Sequence, residues 1–411
     1  MTMLQPGAVI DYLQSPRAIR ERAGYLFDLA CQDRLMGLAC DLSRLESVAD
    51  FVLTVIQETY PDGQIPVHSR WRHFERQAQP WFSCLGPRWQ QRSAVDQVKA
   101  QLDLVIVSVL LDAGAGPHWR YCDPQTGQWL GRSEGLAIAS LTAFAQGLFS
   151  ADPTDPWRVD AEALQQLAES QVAAAFQVTP ENPMVGLPGR CQLLRKLGAV
   201  LSCQPALFGE THPRPGNLVH YLESQAINGE LKAETILKAI LVGLGDIWPG
   251  RLTLAGVNLG DVWLHPALPD TGPGSQWVPF HKLSQWLTYS LLEPLQAYGL
   301  TVVELDALTG LAEYRNGGLC LDLGLFQPKS PAWQQAQPPD SPLIVEWRAL
   351  TIIALDRIAE QIRARLGVSP EALPLPRVLQ GGTWAAGRRI AYQKRPDGTP
   401  PISLQSDGTV F

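Results

Sequence analysis

Three places in this chain set a carboxylate beside groups that suit a buried reaction centre. Glu313 and Arg315 lie two residues apart in the stretch Leu308 to Gly318, which ends on the pair Gly317 and Gly318. An arginine that close favours the ionised form of a glutamate. A glycine pair there reads as a helix break that lets the backbone approach a ligand closely. Asp261 sits among aromatic and glycine residues between Trp248 and Pro266. That composition suits a carboxylate on a pocket wall, and equally an Asx turn or a helix cap. Glu346 and Arg348 open the most apolar helical stretch of the chain. Two residues apart, they do not share a helix face, so each meets a different neighbour, and a glutamate in such a run needs a partner. An ordinary ion pair is the plain alternative for both glutamates.

Two further candidates are weaker. Asp112 ends a hydrophobic segment that leads through Gly114 and Gly116 to His118, and Glu134 follows in Gly131 to Gly135. These glycines lack the spacing of a dinucleotide fingerprint, and His118 reads as a structural hydrogen-bonding residue. Pro188 to Arg190, Arg214 to Gly216 and Pro249 to Arg251 each join Pro-Gly to an arginine. Such junctions suit helix starts that hold an anion, and equally plain loop–helix turns. No HExxH, no helical His/Asp/Glu cluster and no Gly-x-Ser-x-Gly elbow occurs. A histidine- or cysteine-based metal site and a serine or cysteine nucleophile therefore have no support; no cofactor is expected, a metal held only by carboxylates stays open, and the chemistry falls to carboxylates and arginines.

The elements that must position these groups are mostly helices. Helical periodicity predicts helices over Ser15–Ala30, Leu45–Tyr60, Val95–Leu111, Ser133–Phe149 with Ser133 as the cap, Val159–Phe176, Phe280–Tyr298 and Leu343–Leu366. In the last, Trp347, Leu350, Ile353, Leu355, Ile358, Ile362 and Leu366 trace one broad face. Strand signals are confined to Arg251–Leu254 and Ile402–Leu404, with no helix–strand alternation. The expected fold is mainly α with minor β, residues 1–411 forming a single compact multi-helical body with a soft subdivision near 150–180. Gly/Pro-rich stretches at Asp152–Trp157, Pro266–Gly274 and Pro328–Pro342 read as long ordered connections.

The bulk composition narrows the class. The 411 residues are 45% apolar, enough for a large core. A net charge of -7 argues against a nucleic-acid partner. No apolar run is long enough to span a membrane, and the first twenty residues do not read as a secretory signal. Seven cysteines without a CxxC pair fit reduced, mostly buried thiols in the cytoplasm.

Several stretches together resemble the uracil catabolism protein 4, or uracil-regulated protein, family. They are Ser69 to Phe74, Gly131 to Leu136, Asn258 to Trp263, Pro279 to Ser290, Leu308 to Gly318, Val345 to Ala349, Gln380 to Arg388 and the closing Ser406 to Phe411. This resemblance covers nearly the whole chain and implies a role in pyrimidine breakdown. The last 150 or so residues are also similar, more faintly, to the queuosine salvage family of N-ribosyl hydrolases, whose members are helical and similar to DNA glycosylases. That family has a Phe-Ala-Asp-Tyr-Arg motif after a Leu-Thr or Ile-Thr pair; here Leu308 and Thr309 precede Leu311 to Arg315. Its Lys-Arg-Ala-Gln stretch is similar to Lys282 to Gln285, an upstream aspartate resembles Asp261, and a later Glu-x-Arg resembles Glu346 and Arg348. Glu313 stands where that motif has Asp, and only Lys282 remains of its basic pair, which suggests a different leaving group on a similar sugar.

Together the two resemblances imply hydrolysis of the N-ribosyl bond of ribosylurea, or its 5′-phosphate, the urea-bearing ribose left when a uridine ring is opened. Glu313 and Asp261 would then be catalytic. Arg315 would fix Glu313, Glu346 would bind ribose hydroxyls and Arg348 would tie the helix. Lys282 or a Pro-Gly-Arg junction would take a phosphate and Trp263 would wall the urea; Gln285, Asp112 and Glu134 complete the candidate binding set. The expected partner is a small ribosyl substrate. Two alternatives stay open: a non-catalytic nucleotide-binding or regulatory protein, and an amidohydrolase of the opened ring.

Overall fold

A long apolar helix, Pro342–Leu366, organises the half of the chain that carries most of the candidate residues. Ser341 caps it by accepting from the Ile344 amide, and Gly367, at φ 64°, ends it in the left-handed conformation. The computed structural model describes residues 5–75, 82, 85–112 and 114–405, so the Ser406 to Phe411 motif and Cys84 lie outside the described residues. The chain folds as two compact units: Met1–His68, Gly250–Gln285 and Glu304–Phe411 in the first, Ser69–Pro249 and Trp286–Val303 in the second.

In the first unit the Pro342–Leu366 helix packs on Pro16–Cys31, Leu45–Thr59 and Tyr314–Asp322, and Tyr314–Asp322 packs in turn on Trp384–Lys394. Burial of Ile344, Val345, Leu350, Leu355, Ile358 and Ile362 supplies the apolar surface that drives this packing. Short antiparallel pairs staple its edges: Leu38–Cys40 with Phe326–Pro328, and Val262–Leu264 with Trp277–Pro279. The second of these places Asp261 immediately before a strand and brings it beside the start of the Lys282–Tyr298 helix.

The second unit gathers Ala94–Leu110, Arg132–Ala145, Leu187–Cys203, Leu218–Gln225 and Ala233–Leu244, with a short parallel pair, Glu230–Lys232 and Thr301–Val303. Its Ala94–Leu110 helix is buried over most of its length. The cost of burying Asp103 there is offset by Arg214 and by the Val159 and Gly216 amides.

The protein is mainly α-helical, as the sequence predicts. Three local expectations are corrected. Val159–Phe176 is two helices, Ala161–Gln166 and Glu169–Ala175, because Leu167 turns extended between them. Ser133 does not cap its helix; Gly131 precedes Arg132–Ala145 and no side chain caps it. Gly317 and Gly318 do not break a helix: Tyr314–Asp322 runs through both. A Cβ on Gly317 would meet Trp347 Nε1 at 2.6 Å and Thr351 Oγ1 at 2.8 Å, so glycine there serves close helix packing. Among the described cysteines all are free thiols, and only Cys191 and Cys320 are buried. Among the described residues, no helix is long and apolar enough to cross a membrane.

Candidate functional site

Asp261 is held by four donors. Its Oδ1 accepts from Arg348 Nη1 at 2.7 Å and Trp263 Nε1 at 2.6 Å. Its Oδ2 accepts from Arg348 Nη2 at 2.8 Å and the Lys282 amide at 3.0 Å. A carboxylate has about four lone-pair sites, and all are taken. Burial opposes the charge, but the bidentate guanidinium, with Trp263 and the Lys282 amide, holds the Asp261 carboxyl well below the usual range. The group is a fixed anion with no capacity left for proton transfer.

Arg348 carries that order onward. Its guanidinium lies 4.1 Å from the centroid of the Phe280 ring, and its Nε donates to the Ala312 carbonyl at 3.4 Å. The Asp261–Arg348 pair therefore steadies the turn from which Glu313 emerges. Gln285, fully buried, works on the same turn through Thr309: Nε2 donates to Thr309 Oγ1 at 2.7 Å and Oε1 accepts the Thr309 amide at 3.4 Å. These contacts tie the Leu308 to Glu313 turn at two points, Thr309 and Ala312.

Glu313 is the N-cap of the Tyr314–Asp322 helix. Its Oε2 accepts from the Arg315 amide at 2.8 Å and its Oε1 from the Asn316 amide at 2.7 Å. The residue is half-buried. Burial raises its carboxyl above the usual glutamate range, more than the two amides and the charges of Lys282 and Arg315 lower it. Each oxygen accepts one bond and keeps lone-pair capacity. A carboxyl held in a defined rotamer, tuned upward and still partly reachable is the arrangement of a general base or acid. The sequence expectation that Arg315 fixes Glu313 gives way to backbone capping, which leaves the Arg315 side chain to other work.

The remaining candidates divide. Trp263, buried, is spent on Asp261, and Arg251 lies 4.9 Å from the centroid of its ring. Glu346 faces away from Arg348, as their spacing requires. Its Oε2 accepts from the Gly37 and Leu38 amides at 3.0 and 2.9 Å, and its Oε1 lies 3.4 Å from His265 Nε2. With 1% exposure it is a cross-link between the long helix and the Leu38–Cys40 strand. Lys282, half-buried, acts on Glu313 by charge. Asp112 and Glu134 belong to the second unit, where both support the charge of fully buried Arg70; Asp112 pairs with it at 3.1 Å. Of the Pro-Gly-Arg junctions, Arg190 is bound to the Leu111 and Val185 carbonyls and Arg214 to Asp103, so both are occupied within the fold. Residues that sequence reasoning passes over include Phe280 under Arg348, His265 beside Glu346, and Trp384, whose ring lies against Arg315. Phe280 and Trp384 stand inside stretches already singled out, but their partners are distant in sequence.

Comparison with known proteins covers the whole arrangement. Residues 12–411 match the family described as "Protein of unknown function (DUF1688)". The chain is 41% identical over 409 residues to "Protein urg3" of Schizosaccharomyces pombe, covering 97% of this chain and 98% of the relative. It is 37% identical over 438 residues to "Uracil catabolism protein 4" of Lachancea kluyveri, covering 98% and 99%.

Proposed function

The chain belongs to the DUF1688 family together with uracil catabolism protein 4, and on that premise we propose that it acts in uracil breakdown as an N-ribosyl hydrolase. The substrate is ribosylurea or its 5′-phosphate, and the products are urea and ribose or its phosphate. The observation that carries the reading is Glu313: a half-buried, backbone-capped carboxyl with a raised pKa, on a turn held by Arg348 and Gln285.

Cleavage of an N-glycosidic bond develops positive charge on the sugar, which a nearby carboxylate stabilises. In the proposed step a water oxygen bonds to the anomeric carbon while Glu313 takes its proton. The carbon–nitrogen bond breaks, and the proton ends on the departing urea nitrogen. Asp261 is a positioning residue in this scheme: its oxygens are filled, and it acts on the reaction through Arg348 and the Ala312 carbonyl.

The test is incubation of the purified protein with ribosylurea and with its 5′-phosphate, following urea and free sugar by mass spectrometry. Urea should appear with wild type and fall by about 10²–10⁴ in Glu313→Gln. Folded protein that releases no urea from either compound would overturn the hydrolase reading in favour of a binding protein. Release of ammonia with the ribosyl bond intact would move it to an amidohydrolase.

A further inference from the structure

Arg315 is 6% exposed, and among the described residues no hydrogen bond or ion pair reaches its guanidinium. Its Nε is buried with no partner. Its contacts are the rings of Tyr314 and Trp384, whose centroids lie 5.1 and 5.9 Å from the guanidinium carbon. Stacking on rings leaves the in-plane N–H donors of an arginine unused. Two other guanidinia of the same unit are spent: Arg348 on Asp261 and Ala312, Arg20 on Asp356 and the Ala307 and Leu308 carbonyls. A buried guanidinium without a hydrogen-bonded counter-charge is expensive, and the buried Asn316 Oδ1, Trp347 Nε1 and Thr383 Oγ1 near it also lack partners among the described residues, so this cluster of unused polar groups marks a place for a ligand.

The surroundings say what kind. Arg315 is in the first turn of the Tyr314–Asp322 helix, whose Arg315 and Asn316 amides are already taken by Glu313, so the Arg315 side chain and not the helix end is what remains for an anion. The charge of Lys282 acts on the same ground, since it and Arg315 both lower the Glu313 carboxyl. Thr383, fully buried and next to Trp384, has its Oγ1 unpartnered as well. It closes the π-helical turn Leu379–Thr383 that sets the Trp384 ring against Arg315. Gly381 and Gly382 let that turn pack closely on its neighbours: a Cβ on Gly381 would meet Ile65 at 2.8 Å and one on Gly382 would meet Val52 at 2.5 Å. The Gln380 to Arg388 stretch, which the hydrolytic scheme does not use, thus builds the aromatic wall behind an unspent arginine.

We propose that Arg315, backed by Trp384 and aided by Lys282, is the subsite for a phosphate monoester on the sugar, so that the substrate of the Glu313 site is a ribosyl 5′-phosphate. This rests on the hydrolase reading for the position of the sugar. A guanidinium offers paired donors that match the oxygens of a phosphate. The 5′ side of a ribose projects across the ring from the anomeric carbon, and Arg315 follows Glu313 by two residues on the same helix start.

The experiment has two arms. In the first, thermal unfolding of the wild-type protein is followed with ribose 5-phosphate, ribose or inorganic phosphate. Stabilisation by ribose 5-phosphate alone, lost in Arg315→Gln and partly kept in Arg315→Lys, is expected. Equal stabilisation by inorganic phosphate would overturn a sugar-phosphate site, as would equal stabilisation by ribose. In the second, kcat/KM is compared for ribosylurea 5′-phosphate and ribosylurea. Wild type should prefer the phosphorylated compound, and Arg315→Gln should reduce that preference by about 10-fold to 100-fold, mainly through KM. Hydrolysis of both compounds without preference sinks the subsite and leaves the hydrolase intact. Selective binding of ribose 5-phosphate with no hydrolysis of either keeps the subsite and sinks the hydrolase. The wild-type comparisons stand even if Arg315→Gln fails to fold.

Discussion

Two buried arginines on neighbouring helices of the first unit, Arg348 and Arg315, have opposite surroundings. Arg348 gives two hydrogen bonds to Asp261 and a longer one to the Ala312 carbonyl. The Arg315 guanidinium gives none among the described residues and rests on two aromatic rings. The carboxylates beside them differ in the same sense. Asp261 is held well below its ordinary range with every oxygen filled, while burial pushes Glu313 above its own. The saturated pair is framework. On the proposed hydrolase reading, the unsaturated pair holds the groups left for binding and proton transfer.

The largest expected effect on stability lies in the saturated pair. Asp261→Asn leaves Arg348, at 1% exposure, without its counter-charge. Removal of one partner of such a pair costs about 3–5 kcal/mol, read by chemical denaturation. The double change Asp261→Asn with Arg348→Met should recover part of that loss, because it removes the stranded charge. Glu313→Gln should cost less, about 0.5–2 kcal/mol, because the carboxamide oxygen can accept from only one of the two capping amides. If instead Glu313→Gln proves the more destabilising, the division into framework and reacting group fails. The pH dependence has a definite sign. The folded-state pKa of Asp261 lies below its unfolded value of about 3.9, so its contribution is present above that value and is lost as pH falls toward the folded one.

A smaller effect separates the two roles of glycine at the helix start. Gly317→Ala should cost about 1–3 kcal/mol by overpacking against Trp347 and Thr351. Denaturation midpoints would show it. An unchanged midpoint would mean that the helix has room to move, contrary to the close packing described.

This helix also shows where the sequence is readable and where it is not. The reading of a helix over Leu343–Leu366 follows from apolar periodicity, a local property, and the structure adds Pro342 and the Ser341 cap at its start. The divergence of Glu346 from Arg348 follows from helix geometry alone. The choice of Asp261 as partner of Arg348 does not, because 87 residues separate them and only the folded chain brings the fork and the carboxylate together. The Gly317–Gly318 pair misleads for the same reason: its cause is a tryptophan on another helix, and a local rule reads it as a break. Glu313 stands out in sequence by its arginine neighbour, yet its partners are the backbone amides of the helix it starts. The residue type is legible; the tuning, which comes from burial, is tertiary.

The subtlest test of the contrast is the acid limb of the pH–rate profile. If Glu313 accepts a proton from water, activity requires its ionised form, and kcat/KM falls as pH drops through the pKa of the free enzyme. Burial, outweighing the two capping amides and the Lys282 and Arg315 charges, sets that midpoint above the ordinary glutamate value of about 4.3. Asp261 adds no second limb in the same range, since its carboxyl stays ionised throughout. Lys282→Met removes the larger of the two lowering charges and should move the limb further up, while Arg348→Lys should lower the rate with little movement of the midpoint. A limb that stays in place in Lys282→Met, or that survives in the residual activity of Glu313→Gln, would assign the proton transfer to another group.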